Sequence, residues 1–182
     1  MKSFSSSKLN PIVVKNLEEK NILVPTEIQK QAIPTLLEHE GDFVGKAATG
    51  TGKTIAFLTP LISKIDASKG ILQAVILVPT RELSEQIGNE LAYLVKGIEG
   101  FKTKAIYGGV SVKSQINDLS NGVQVVVATP GTSLMAPNSF NFFFARVILA
   151  FSLSHLFPSA VFSQVIRANT SSSIFWSIAP AE

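Results

Sequence analysis

The sequence specifies an α/β fold with a parallel sheet, and three observations lead there. First, apolar runs of strand length, Ala74-Val75-Ile76-Leu77-Val78 and residues 123–128, alternate with stretches whose apolar residues recur at helical spacing. Second, these runs lack a polar alternation, which is how a parallel strand buried on both faces reads. Third, a short strand candidate at residues 42–46 and a helical stretch at 54–62 flank Ala47-Ala48-Thr49-Gly50-Thr51-Gly52-Lys53-Thr54. Strand, glycine-rich loop and helix in that order are the context of a phosphate-binding loop.

Each element has a local cause. Residues 11–20 form a helix, with Asn10 as N-cap and Pro11 at the first helical position. Pro25-Thr26 opens a second helix. Thr26 and Gln29 have the Thr-x-x-Gln spacing of a capping box, and Ile28, Ala32, Ile33, Leu36 and Leu37 make its apolar face. Pro34 is expected to kink or restart it. Pro79 stops the strand at 74–78, and Thr80 caps a helix through about Lys96. Residues 102–107 are a third strand, Gly108-Gly109 a turn, 111–119 a short helix and 123–128 a fourth strand ending at Thr129-Pro130-Gly131. Strands alternating with helices give right-handed βαβ units, and ligands then sit at the carboxyl ends of the strands. Residues 47–54, 79–81 and 129–131 all fall at that rim.

Composition limits the chemistry. The chain has 182 residues, enough for one domain with a core. It has no cysteine, so disulfides and thiolate metal sites are excluded. A formal charge of +3 allows nucleic acid as a partner without demanding it. The polar N-terminus lacks the apolar stretch of a signal peptide, and the cytoplasm is the expected compartment. Residues 1–132 hold 12 acids and 14 bases, whereas residues 133–182 hold one acid, two bases and 8 of the 12 phenylalanines. Arg146, His155 and Pro158 interrupt the apolar run at 140–162, so no membrane span is expected.

The loop residues suit a nucleotide's phosphates. Glycines permit positive φ and close backbone approach, and successive N–H groups make an anion-binding nest. Lys53 would reach the β- and γ-phosphates, and the Thr54 hydroxyl would take Mg²⁺. The helix that starts here points its positive end at the anion.

Taken together, the segments resemble the first RecA-like domain of DEAD-box RNA helicases, over about residues 1–131. Residues 25–29 look like the Q motif, with Phe4 at the place of an upstream isolated aromatic. Residues 47–54 match motif I, including Ala47 where the general phosphate-loop pattern has glycine. Residues 79–83 match motif Ia, Gly108-Gly109 the GG motif, and Thr129-Pro130-Gly131 part of motif Ib. The resemblance implies a RecA-like phosphate-loop NTPase domain, here incomplete. It implies ATP and Mg²⁺ as ligands and RNA as partner, and no obligate protein partner is inferable. Gln29 would read the adenine edge and Phe4 would stack on the ring. Thr49, Gly50, Thr51, Gly52, Lys53 and Thr54 would hold the phosphates and the metal. Pro79, Thr80, Arg81, Gly109, Thr129 and Gly131 would lie on the RNA strand. Gln29 also has the bland reading of a capping-box residue, and Arg81 that of a solvated charge in a first helical turn.

The pattern has departures. Asn21-Ile22 replaces the usual glycine–aromatic start of the Q motif, and Thr132 stands where arginine follows motif Ib. No Asp occurs after Asp118, so the acidic motif that names the family is not found. Arg146-Val147-Ile148-Leu149-Ala150-Phe151 is the nearest strand to its place and is followed by Ser152-Leu153. Ser177-Ile178-Ala179-Pro180 has only a faint likeness to the Ser-Ala-Thr motif. A second RecA-like domain is absent from the 182 residues. The expectation is therefore two parts: 1–131 of helicase type, and 132–182 an apolar segment from a frameshift or misread splice boundary. The resulting chain would bind nucleotide and RNA but lack hydrolysis. Alternatives are a non-catalytic RNA-binding or regulatory module, and a different phosphate-loop nucleotide-binding protein such as a small kinase.

Overall fold

Asn10 begins the first helix as its cap: the Asn10 Oδ1 accepts a 2.9 Å bond from the Ile12 N–H, and Pro11 follows at the first helical position. A computed structural model of the chain describes residues 3–38, 43–108, 119, 121–129, 146–149 and 174–177. In order these form a 3-10 turn (Phe4–Ser6), α1 (Pro11–Glu19), α2 (Glu27–Glu38), β1 (Phe43–Lys46), α3 (Lys53–Lys64), β2 (Ala74–Leu77), α4 (Arg81–Leu94), β3 (Thr103–Ile106), β4 (Val125–Ala128), β5 (Arg146–Leu149) and β6 (Ile174–Ser177). Every element expected before residue 131 is present within a residue or two. The exception is the helix at 111–119, which lies outside the described residues save for Leu119.

α2 does not restart at Pro34. It runs through that residue, as α3 runs through Pro60. Each proline removes one intrahelical N–H, and packing of α2 on α3 carries both helices across the gap.

The six strands form one sheet in the order β1-β6-β5-β2-β4-β3, and all pairs are parallel. β2 and β4 are central and fully buried, as their unbroken apolar runs require. Their side chains alternate between two cores. Ala74, Ile76, Val125 and Val127 join the buried faces of all four helices. Val75, Leu77, Val126 and Ala128 pack with Ile106 and Val123 on the other side. At about 25 cal/mol per Å² of apolar surface, this two-sided burial is the main term favouring the fold.

The described parts of residues 132–182 are the strands β5 and β6, and both lie inside the sheet. β5 pairs with β2, with Ala74 opposite Arg146, and β6 pairs with β1, with Phe43 opposite Ile174. β1 is thus joined to the central strands through β6 and β5. Among the described residues no helix is long and apolar enough to cross a membrane.

Candidate phosphate-loop site and strand-edge surface

β1 ends at Lys46, and the chain turns through residues 47–52 into α3. Gly50 and Gly52 take φ of 78° and 87°, in the left-handed region that side chains resist. At Gly50 a Cβ would meet nothing within 4 Å, so the backbone there faces open space. At Gly52 a Cβ would lie 2.4 Å from Gln29 Nε2. Glycine is required at this second position for both conformation and room.

The loop's polar groups are turned inward. The Thr51 hydroxyl donates to the Ala48 carbonyl at 2.8 Å. Lys53 is 9% exposed, and its ammonium donates to the carbonyls of Ala47 (2.6 Å) and Ala48. Burial disfavours its charged form and lowers its pKa from the ordinary lysine value. Thr54 sits half-buried in the first turn of α3, and its hydroxyl has no hydrogen bond to a described residue.

α2 clamps the loop from behind. Gln29 is 1% exposed; its Oε1 accepts from the Thr26 N–H at 2.9 Å, and its Nε2 donates to the Gly52 carbonyl at 3.0 Å. The Thr26 hydroxyl donates to the Thr51 carbonyl at 2.8 Å. Only half of the expected capping box therefore forms. The Thr26 hydroxyl is turned toward the loop, where the turn after β1 brings the Thr51 carbonyl within reach. Thr49, at the tip of the loop, is exposed. Phe4 is 3% exposed and packed in the helical core with its neighbour α1.

The remaining candidates come from the carboxyl ends of neighbouring strands. Pro79 and Thr80 follow β2. Thr80 caps α4 by accepting from the Leu83 N–H at 3.3 Å. Arg81, at the start of α4, is exposed; its Nε lies 3.4 Å from Glu85 Oε1 and its guanidinium carbon 4.6 Å from the centre of the Tyr107 ring. Thr129 follows β4 and its N–H donates to the Ile106 carbonyl at 3.2 Å, tying the ends of β3 and β4 together. Gly109 and Gly131 lie outside the described residues. Tyr107 was not among the sequence candidates; its signal was an aromatic residue directly before the Gly108-Gly109 turn.

The residues present fit a nucleotide phosphate. An open glycine, a lysine held on exchangeable loop carbonyls, an uncommitted threonine hydroxyl and a helix N-terminus converge at one turn. Among the described residues no group of three His, Asp or Glu side chains could hold a metal, so Mg²⁺ would take its oxygen ligands from Thr54, the phosphates and water. Sheet, loop and helix together define a phosphate-loop α/β domain of RecA-like type. A family model described as DEAD/DEAH box helicase matches residues 26–143, and the chain belongs to that family. The match runs past Gly131.

Relatives agree. The DEAD-box ATP-dependent RNA helicase CshB of Bacillus subtilis is 39% identical over 130 residues, covering 70% of this chain and 30% of the relative. The ATP-dependent RNA helicase CshA of Listeria monocytogenes is 41% identical over 134 residues, covering 74% and 25%. A crystal structure of a DEAD box protein from the hyperthermophile Methanococcus jannaschii superposes with a TM-score of 0.83 at 30% identity, over 100% of this chain and 51% of that one. The chain thus spans less than a third of the length of these two curated relatives.

Proposed function

We propose that the chain is the ATP-binding, RNA-contacting part of an ATP-dependent RNA helicase, and that these 182 residues alone do not hydrolyse ATP. The observation that carries the first half is the clamp of Gln29 and Thr26 on the carbonyls of Gly52 and Thr51. It joins the Q-motif helix to the phosphate loop, so the segments assigned to base and to phosphates form one unit. ATP, when bound, supplies the phosphoryl group whose transfer drives the helicase cycle. The chain's own residues bind and orient it. Loop amides and the α3 N-terminus meet the phosphates, Lys53 exchanges its two carbonyls for phosphate oxygens, and the Thr54 hydroxyl faces Mg²⁺. Gln29, 1% exposed, reads the adenine edge only if its amide turns out of the clamp. Phe4 stacks on the ring only if a face of it leaves the core.

The second half rests on the acids. Phosphoryl transfer depends on positioning and charge neutralisation, with an acidic strand end commonly holding the metal. After Asp118 the sequence contains Glu182 and no other acid. This favours the second reading, a non-catalytic RNA-binding module, for the chain acting by itself. Titration with a fluorescent ATP analogue and Mg²⁺ should give saturable binding that Lys53→Ala weakens tenfold or more. Phosphate release with RNA should equal that of Lys53→Ala. Absent binding overturns the first half. Turnover above the variant overturns the second and points to Asp118 or Glu82 as the acid.

A further inference from the structure

Arg81 carries five N–H donors, and the described residues use one of them, the Nε that lies 3.4 Å from Glu85 Oε1. Both Nη groups are without a bond to a described residue. The guanidinium nevertheless has a fixed seat, because it lies 4.6 Å from the centroid of Tyr107, within cation–π range. Tyr107 directly follows β3 and Arg81 opens α4, so two rigid elements hold the contact, and α4 packs directly on β3. A planar guanidinium with its fork free is suited to bidentate contact with a phosphate, and holding the plane beforehand reduces the entropy lost on binding.

From this geometry we propose that Tyr107 is a positioning residue for Arg81, holding its fork for a phosphate of the RNA backbone, and that Glu85 is the internal anion which that phosphate displaces. This rests on the RNA-contacting reading above and extends it to two residues outside the motifs. Glu85 neutralises Arg81 in the free protein, one turn along the same helix face. Arriving phosphate competes with a partly exposed pair worth little in water, so the exchange is easy. The same competition discriminates against weak anions.

The test is RNA binding by the full chain at several salt concentrations, with a single-stranded RNA of mixed sequence as probe. Arg81→Ala should weaken binding and lower the salt slope by about one, the signature of one lost phosphate contact. Tyr107→Leu should weaken binding about two- to fivefold, while Tyr107→Phe, which keeps the ring, should bind as the parent does. Glu85→Gln should bind about twofold more tightly. The Arg81 Nε–H proton resonance reports the seat directly: it should lie upfield from the ring current in the parent and in Tyr107→Phe, and return to the free-arginine position in Tyr107→Leu. Far-UV circular dichroism establishes that each variant is folded. Unchanged binding in Arg81→Ala overturns the RNA reading at this edge. Loss in Arg81→Ala with none in Tyr107→Leu overturns the positioning role alone. A Glu85→Gln variant that binds no better, or more weakly, overturns the displacement step.

Discussion

Gly52 shows how one residue can be fixed by two demands. Its φ of 87° costs an alanine roughly 1–3 kcal/mol, and the added carbon would press on Gln29 Nε2. Gly52→Ala should therefore lower the unfolding free energy in urea by at least that amount and loosen the clamp on α2, whereas Gly50→Ala adds strain without a clash. Equal midpoints for the two variants would show that the Gln29 contact does not matter. Lys53 carries a pH signature. Its folded pKa is lowered by burial from an ordinary value of 10.5, so between the two values the unfolded chain binds more protons and stability rises with pH. Below that window the charged, buried lysine costs stability in full. Lys53→Met should remove this rise, seen as a smaller gain than the parent's in urea unfolding as the pH is raised toward 10.5. At this scale the sequence was informative where backbone conformation is decisive. Glycine at 50 and 52 was legible because few residues tolerate that turn. The pairing of Arg81 with Tyr107 was not, since 26 residues separate them and only the packing of α4 against β3 brings them together.

Helices and strands were legible where their ends carry a chemical signal. Asn10 and Thr80 announce α1 and α4, and both cap as their side chains dictate. Thr26 looked the same in sequence, but its hydroxyl is turned to donate to the Thr51 carbonyl; a cap forms only if no neighbouring acceptor draws the side chain away from the helix N–H groups. The far end of α4 has a cap that no local pattern reveals. Asn16, on α1, is buried, and its Nδ2 lies within hydrogen-bonding distance of the carbonyls of Tyr93, Leu94 and Lys96, at 3.3, 2.9 and 2.9 Å. These are the acceptors a helix C-terminus leaves over. Asn16→Ala should cost about 1–3 kcal/mol, because the buried Leu94 carbonyl loses its donor. Asn10→Ala, at a half-buried cap, should cost about 1 kcal/mol. Thermal unfolding of the two variants ranks them; the reverse order would mean that water replaces the Asn16 amide.

The whole molecule depends on strands that composition sets apart. β5 and β6 come from the segment with the fewest charges, and they fill the two places between β1 and β2. The apolar run 146–151 read as a strand, and β5 forms at Arg146–Leu149, but its neighbours in the sheet were not legible, because strand order is a property of long-range pairing and leaves no local trace. A chain ended after residue 131 should keep β2, β3 and β4 with their helices but lose the only described strand partner of β1. It should form aggregates in light scattering and bind no ATP analogue, whereas a monomer with full affinity would show that α2 and α3 seat the loop without the sheet.

The position of β1 also has a consequence during synthesis. Residues 43–46 leave the ribosome well before the strand beside them, 174–177, is made. At the usual pace of translation that interval is on the order of ten seconds. For that time the nascent chain carries a bare strand whose Val44 is 70% exposed even after folding. A holdase such as a ribosome-bound chaperone would have its target there, and the ability to grip a nucleotide would arrive only once residues 174–177 are made.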